Sequence, residues 1–355
     1  MNRKPLVTFY VIERGYLTDK EMKLKLEDRE RQEMAVMINR AQVLDVGVQH
    51  SHKTLDVAGL GWVMVDFLVV LPSYPEVDTK VTILAGCKQV GGPVARAMMT
   101  LSRLGKQTAL IAKIGDDCLG RFVQEALRKE GVELGAVEIE ERGKTRFSHI
   151  WVDRRNGSRT VAYSKGHLKE IQLGPESKER IKRSRFLHLD GRELEAALIA
   201  AQLAREGGGR VMLDAGSVKP GINKLIPLVD VIVASSDFIR EFSPYSSLEE
   251  TGKKLLAMGP RVVVLTLGKD GVICISKESF FYQPVFPVKA VDTNGAGDVF
   301  NGGLLFGLLE NWDLPTSVRF ASAVAAIKCK RLGNRGLPVL SEVQRFLQLH
   351  SSHTV

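Results

Sequence analysis

Cysteine is scarce in this chain and never closely paired: Cys87, Cys118, Cys274 and Cys329 are scattered over 355 residues. That spacing excludes a zinc ribbon or a Cys-x-x-Cys redox motif and fits a reducing, cytoplasmic setting. Long apolar runs are missing too. The longest, residues 59–72, is interrupted by Asp66 and falls short of the ~20 residues that cross a bilayer, so no membrane span is expected. The apolar stretch 6–12 is broken by Glu13 and Arg14 with no small-residue cleavage site after it, which argues against a secretory leader. The seven histidines have no spacing suited to a metal cage, and His188, ahead of Asp190-Gly191-Arg192, reads as structural. Gly143-Lys144-Thr145 looks like the end of a Walker A loop, but Glu138 stands where that loop needs its first glycine. There is no internal repeat and no low-complexity tract.

Hydrophobic residues make up 44% of the chain, enough to supply a sizeable core. The formal charge of +9 is spread over many segments. It suits anionic ligands such as nucleotides as well as nucleic acid and does not choose between them. Residues 1–53 stand apart, because 20–42 is densely charged with interspersed Met and Leu and resembles a surface helix. An appended arm and an upstream extension outside the native folded unit are both open for this segment. Residues 54–347 read as the main domain and 348–355 as a C-terminal tail.

From Asp56 onward, strand candidates at 56–62, 108–114, 186–189, 210–214, 229–234, 262–266 and 272–276 alternate with amphipathic stretches. Among the latter are helix candidates at 94–104, closed by Gly105, and 119–130, closed by Gly131. This alternation predicts a mostly parallel sheet with helices on both faces. Residues 147–153 and 158–163 break the rhythm as two strands joined around Asn156-Gly157, a hairpin signal. With a further hairpin near 83–90, they predict a small β lid, built from about 63–90 and 146–163, over a site at the sheet's edge.

The sharpest motif is Asp292-Thr293-Asn294-Gly295-Ala296-Gly297-Asp298, directly before the apolar segment 299–309. A glycine turn opening into a helix exposes backbone amides and the positive end of the helix dipole, a place for phosphoryl charge. Asp298 stands beside it as a carboxylate able to accept a hydroxyl proton. For a lone Gly-Asp pair, a simple helix cap would be the better reading. The full run has six fixed positions, with a chance frequency on the order of 10⁻⁷ per starting point.

Together with Phe300 and Gly302-Gly303, this run resembles the signature of the ribokinase-like (PfkB) carbohydrate kinases, over Asp56 to about Leu347. The resemblance implies an α/β three-layer sandwich with a mostly parallel central sheet and a β lid. It implies ATP-dependent phosphorylation of a hydroxyl of a sugar or sugar derivative, with Asp298 as base and the amides of Gly295, Ala296 and Gly297 as anion hole. By the same resemblance Gly91 and Gly92 bring backbone close to the sugar, and Asp66 with Asp78 matches the aspartate pair of the ketohexokinase-like branch, the closest in pattern. Thr266, Gly268 and Gly271 correspond to the ATP-side turn, with Cys329 beside the adenine. Mg²⁺ arrives with ATP. Some relatives hold a monovalent cation beside the signature through an aspartate matching Asp292.

The match has gaps. Pro93 and Arg96 replace the two asparagines that touch sugar in many relatives. Arg96, aided by Arg146 or Arg159, would suit an anionic sugar, although all three would also serve as solvated surface residues. The Asn-x-x-Glu element that arranges Mg²⁺ reads Ser235-Ser236-Asp237-Phe238, leaving Asp237 as its candidate. A nucleoside kinase of the same fold, and a non-catalytic sugar-sensing or nucleic-acid-binding protein built on it, are the alternatives. A homodimer is the expected assembly, by analogy only.

Overall fold

The computed structural model describes residues 53–350. The charged segment 20–42 lies outside them.

Nine strands form the main sheet: β1 (Leu55–Leu60), β4 (Thr108–Gly115), β5 (Glu133–Glu140), β8 (Ser184–Leu189), β9 (Arg210–Ala215), β10 (Val231–Ser235), β11 (Val262–Thr266), β12 (Val272–Ser276) and β13 (Phe280–Gln283). Their order across the sheet is β13-β12-β11-β10-β9-β8-β1-β4-β5. All pairs from β5 to β11 are parallel; β12 and β13 are added antiparallel at one edge. Because both faces are covered, the strands read as continuous apolar runs whose alternate residues serve different cores. In β11, Val262 and Val264 enter one cluster while Val263 and Leu265 enter the other; in β4, Leu110 and Ala112 oppose Ala109 and Ile111 in the same way.

On one face the central helix Ala296–Leu309 has every residue from Val299 to Leu309 buried. It lacks the polar stripe of a surface helix, as burial on all sides requires. It packs against Pro93–Arg103 and Leu314–Cys329, and Gly303 permits the second contact, since a Cβ there would lie 2.8 Å from Ala321 Cα.

A second, smaller sheet, β3-β2-β6-β7, comprises β2 (Met64–Leu71), β3 (Ala85–Gly91), β6 (Phe147–Asp153) and β7 (Arg159–Ser164). Its strands fall in the two stretches that interrupt the β/α rhythm of the sequence. Asp66, which interrupts the apolar run 59–72, lies inside β2, opposite Gln89 of β3 and Ser148 of β6. Gly61 and Trp62 interrupt the apolar run and separate β1 from β2. Strand β5 escaped the sequence reading because Glu133, Glu138 and Glu140 mark it as charged, a common guise of an edge strand.

No helix among the described residues is long and apolar enough to cross a membrane. The four cysteines are all free.

Candidate active site

The carboxyl ends of β1, β8, β9, β10 and β11 lie along one edge of the sheet, as their parallel registers require. The order changes direction at β1, with β4 and β5 on one side and the later strands on the other. Ligands of open α/β sheets bind at such switch points. Asp190 directly follows β8, Asp214 lies near the end of β9, and Ser235 and Thr266 end β10 and β11.

Arg96 is the hub. It lies on the helix Pro93–Arg103 and is buried. Its Nη2 donates to Asp66 Oδ2 at 2.7 Å, Nη1 donates to Asp298 Oδ2, and Nε donates to Asn334 Oδ1 at 3.3 Å. Burial by itself would lower the Arg96 pKa, but Asp298 and Asp66 outweigh it and hold the guanidinium above its ordinary value. Asp66 also accepts from Ser148 Oγ at 2.7 Å, so β2, β6 and two helices converge on one charged group. The alternative reading of Arg96 as a solvated surface residue is thus excluded.

Asp298 lies in the first turn of the helix Ala296–Leu309, whose N-cap is Gly295 at φ 75°. That left-handed backbone favours glycine, and a Cβ at Gly295 would collide with the Arg96 guanidinium. The Ala296 amide bonds Thr293 O at 3.2 Å. Gly297 is exposed, and open space lies where a Cβ would stand.

Gly91 and Gly92 also have reasons internal to the protein. A Cβ on Gly91 would overlap the Asp66 carboxylate, and one on Gly92, at φ 101°, would overlap Trp62 O. Asp78 does not join the group. It sits at φ 61° in the exposed loop between β2 and β3.

Beside the Arg96 hub lies a second charged cluster, of which the sequence singled out only Arg146. Asp190 accepts the Trp62 amide at 2.9 Å, and burial raises its pKa despite the opposing Arg192. Asp214 is pushed up to about 8 by desolvation and then by the Asp298 and Asp190 carboxylates. Arg146 is buried, ion-paired with Glu193 at 3.0 Å and stacked on Trp62, whose ring also carries Arg192. Desolvation lowers its pKa, with Glu193 and Asp190 opposing. Arg146 is therefore no surface residue, whereas Arg159 is exposed. The signal available in the sequence was Asp190-Gly191-Arg192 at a strand end.

On the nucleotide side of the family pattern, Gly268 and Gly271 bracket a short 3₁₀ turn after Thr266, closed by Leu267 N–H to Gly271 O at 2.9 Å. Cys329 ends the helix Leu314–Cys329, and its carbonyl accepts from the amides of Val291 at 2.8 Å and Asp292 at 3.2 Å. Burial raises the Cys329 thiol pKa. Asp237 is exposed and paired with Arg240. No group of three or more His, Cys, Asp or Glu suited to a metal ion occurs among the described residues. Asp292 is fully buried, with its carboxylate against the Lys328 ammonium at 2.9 Å. A cavity of about 210 Å³ opens elsewhere, beside Thr54, Thr108 and Glu133 at the amino ends of β1, β4 and β5. It holds none of the residues singled out above.

Comparison with known proteins agrees with this fold. The model of the pfkB family carbohydrate kinases matches residues 55–339. A 5-dehydro-2-deoxygluconokinase of Clostridium perfringens is 27% identical over 288 residues, covering 74% of this chain and 84% of its own. The ribokinase of Haemophilus influenzae is 28% identical over 308 residues, covering 83% and 99% respectively. The crystal structure of a ribokinase from Thermotoga maritima aligns at a TM-score of 0.71 and 25% identity, over 83% of this chain and 99% of that one. These relatives do not single out the ketohexokinase-like branch.

Proposed function

The chain belongs to the pfkB family of carbohydrate kinases, and on that premise we propose that it transfers the γ-phosphoryl group of ATP to a hydroxyl of a sugar or sugar derivative, with Asp298 as the base. The observation that carries the proposal is the position of Asp298 in the first turn of a buried helix, beside the exposed Gly297. One carboxylate oxygen is held by Arg96, which fixes the side chain and leaves Oδ1 to accept a hydroxyl proton. Phosphoryl transfer needs positioning and charge stabilisation more than covalent chemistry. The amides of Gly295 and Gly297, at the positive end of the helix Ala296–Leu309, suit the charge that develops on the transferred group, whereas the Ala296 amide is directed to Thr293 O.

Asp66 is the smaller sheet's contribution to the sugar side. Gly91 and Gly92 serve that side by making room for the Asp66 carboxylate and for Trp62. Thr266, Gly268, Gly271 and Cys329 form the nucleotide side by their correspondence with the family pattern. Mg²⁺, when bound with ATP, neutralises phosphate charge. Asp237 is the exposed carboxylate available to its hydration shell; the Ser235-x-Asp237 pattern is also the residue-level basis for the ketohexokinase-like branch.

The cations Arg192 and Lys219 stand near Asp190 and Asp214, and one relative is named a 5-dehydro-2-deoxygluconokinase. Sugar acids therefore belong among the first compounds to test. One observation favours the non-catalytic alternative: a carboxylate held by a buried guanidinium is a constrained base. ADP release over a panel of sugars, sugar acids, sugar phosphates and nucleosides discriminates the readings. Turnover with a sugar or sugar acid supports the proposal, turnover with nucleosides alone supports a nucleoside kinase, and none supports a non-catalytic protein.

A further inference from the structure

Asp292 opens the signature loop, and its carboxylate and carbonyl are an oxygen pair of the kind hard cations select. Both oxygens are already engaged by a cation. Lys328 Nζ donates to Asp292 Oδ2 at 2.9 Å and to Asp292 O at 2.9 Å. The lysine and the aspartate side chains are both fully buried. The carboxylate also accepts the Gly333 amide on Oδ2 at 2.9 Å and the Asn294 amide on Oδ1 at 2.8 Å. The resemblance to kinases with a monovalent cation at this aspartate is therefore not matched by the donor set here.

We infer that Lys328 is a built-in monovalent cation, whose ammonium orders the Asp292–Asp298 loop and makes the site independent of dissolved K⁺ or Na⁺. The surroundings suit that role. Lys328 lies in the last turn of the helix Leu314–Cys329, where the dipole favours positive charge. The 3₁₀ turn Gly333–Gly336 closes over it: Gly333 bonds its partner aspartate, and a Cβ on Gly336 would strike the Lys328 carbonyl. A buried ammonium without its aspartate would be costly, and so would the reverse, so the pair holds the loop to the helix end. Lys328 is thus a positioning residue that acts through Asp292. Its effect on turnover rests on the kinase reading, whereas its effect on cation response does not.

The test uses the full-length protein with chloride salts of K⁺, Na⁺, NH₄⁺ and tetramethylammonium at equal ionic strength. The first readout is the thermal unfolding midpoint without substrate, which needs no activity; the second is kcat on any substrate found. For the wild type, both are expected to be the same in all four salts. Lys328→Ala is expected to lose about 10- to 100-fold in kcat, as when the support of a site is removed, and to regain midpoint and kcat in NH₄⁺ or K⁺ but not in tetramethylammonium. Lys328→Met, which fills the space without charge, is expected to gain nothing from any salt. A wild-type midpoint or kcat that rises specifically with K⁺ overturns the inference, whether or not the Ala variant folds. So does an Ala variant that no monovalent cation improves, because Lys328 would then be packing alone. If no substrate is ever turned over but the midpoints behave as stated, the cation assignment stands and the kinase reading fails.

Discussion

His188 is fully buried on β8, and desolvation lowers its pKa from 6.5 to about 4. The folded protein therefore holds the imidazole neutral, while the unfolded chain takes up a proton from about pH 6.5 downward. Stability from this group is complete above that pH and is lost as pH falls toward 4, by roughly 3 kcal/mol from the size of the shift. Urea unfolding of wild type and His188→Leu at pH 7 and pH 4.5 should show the wild type losing more over that interval; equal losses would contradict the assignment. Arg96 makes a second prediction at this scale. Truncating a partner of a buried ion pair costs about 3–5 kcal/mol, so Arg96→Ala should be strongly destabilised, with Asp66 left buried on Ser148 alone. A variant as stable as wild type would show that the Arg96 network does not hold the two sheets together. Arg96, Asp66 and Asp298 were each legible in the sequence but their pairing was not, because residues 30 and 202 positions apart can be paired only by the fold.

At the scale of elements, strands β6, β11 and β12 were readable to the residue, since β-branched runs bounded by turns leave little choice. Strand β5 was hidden by its glutamates, and β2 was placed only within the lid stretch of about 63–90, because it continues the apolar run of β1 beyond Gly61 and Trp62. The signature helix was legible through its motif and shifted by only a turn. Its close packing was not legible, because a glycine that lets another helix approach looks in sequence like any other glycine. Gly303 and Gly307 face Ala321 and Ser317 across the hairpin with Leu314–Cys329. Gly303→Ala should therefore cost about 1–3 kcal/mol through overpacking, read as a lower unfolding midpoint with an unchanged KM. A variant of unaltered midpoint would mean that the two helices separate without penalty.

For the whole molecule, the arrangement of β1 between strands running to either side brings Asp66, Arg96, Asp190, Asp214 and Asp298 to one edge from five separate stretches of chain. The family match begins at residue 55 and β1 begins at Leu55. A chain starting near residue 53 is thus expected to keep full turnover; a loss of activity, with folding intact by circular dichroism, would assign residues 1–52 a part in the site. The architecture and reaction class were legible because the Asp292 to Asp298 run is specific. The second charged cluster, apart from Arg146, was not, since Asp190 and Asp214 are ordinary strand-end residues until the sheet aligns them. The most direct test of the central claim is ADP release by wild type and Asp298→Asn over the substrate panel. The account predicts turnover with a sugar or sugar acid that falls by about 10²–10⁴-fold in the Asn variant, with its fold unchanged. An Asn variant that retains wild-type turnover would contradict it.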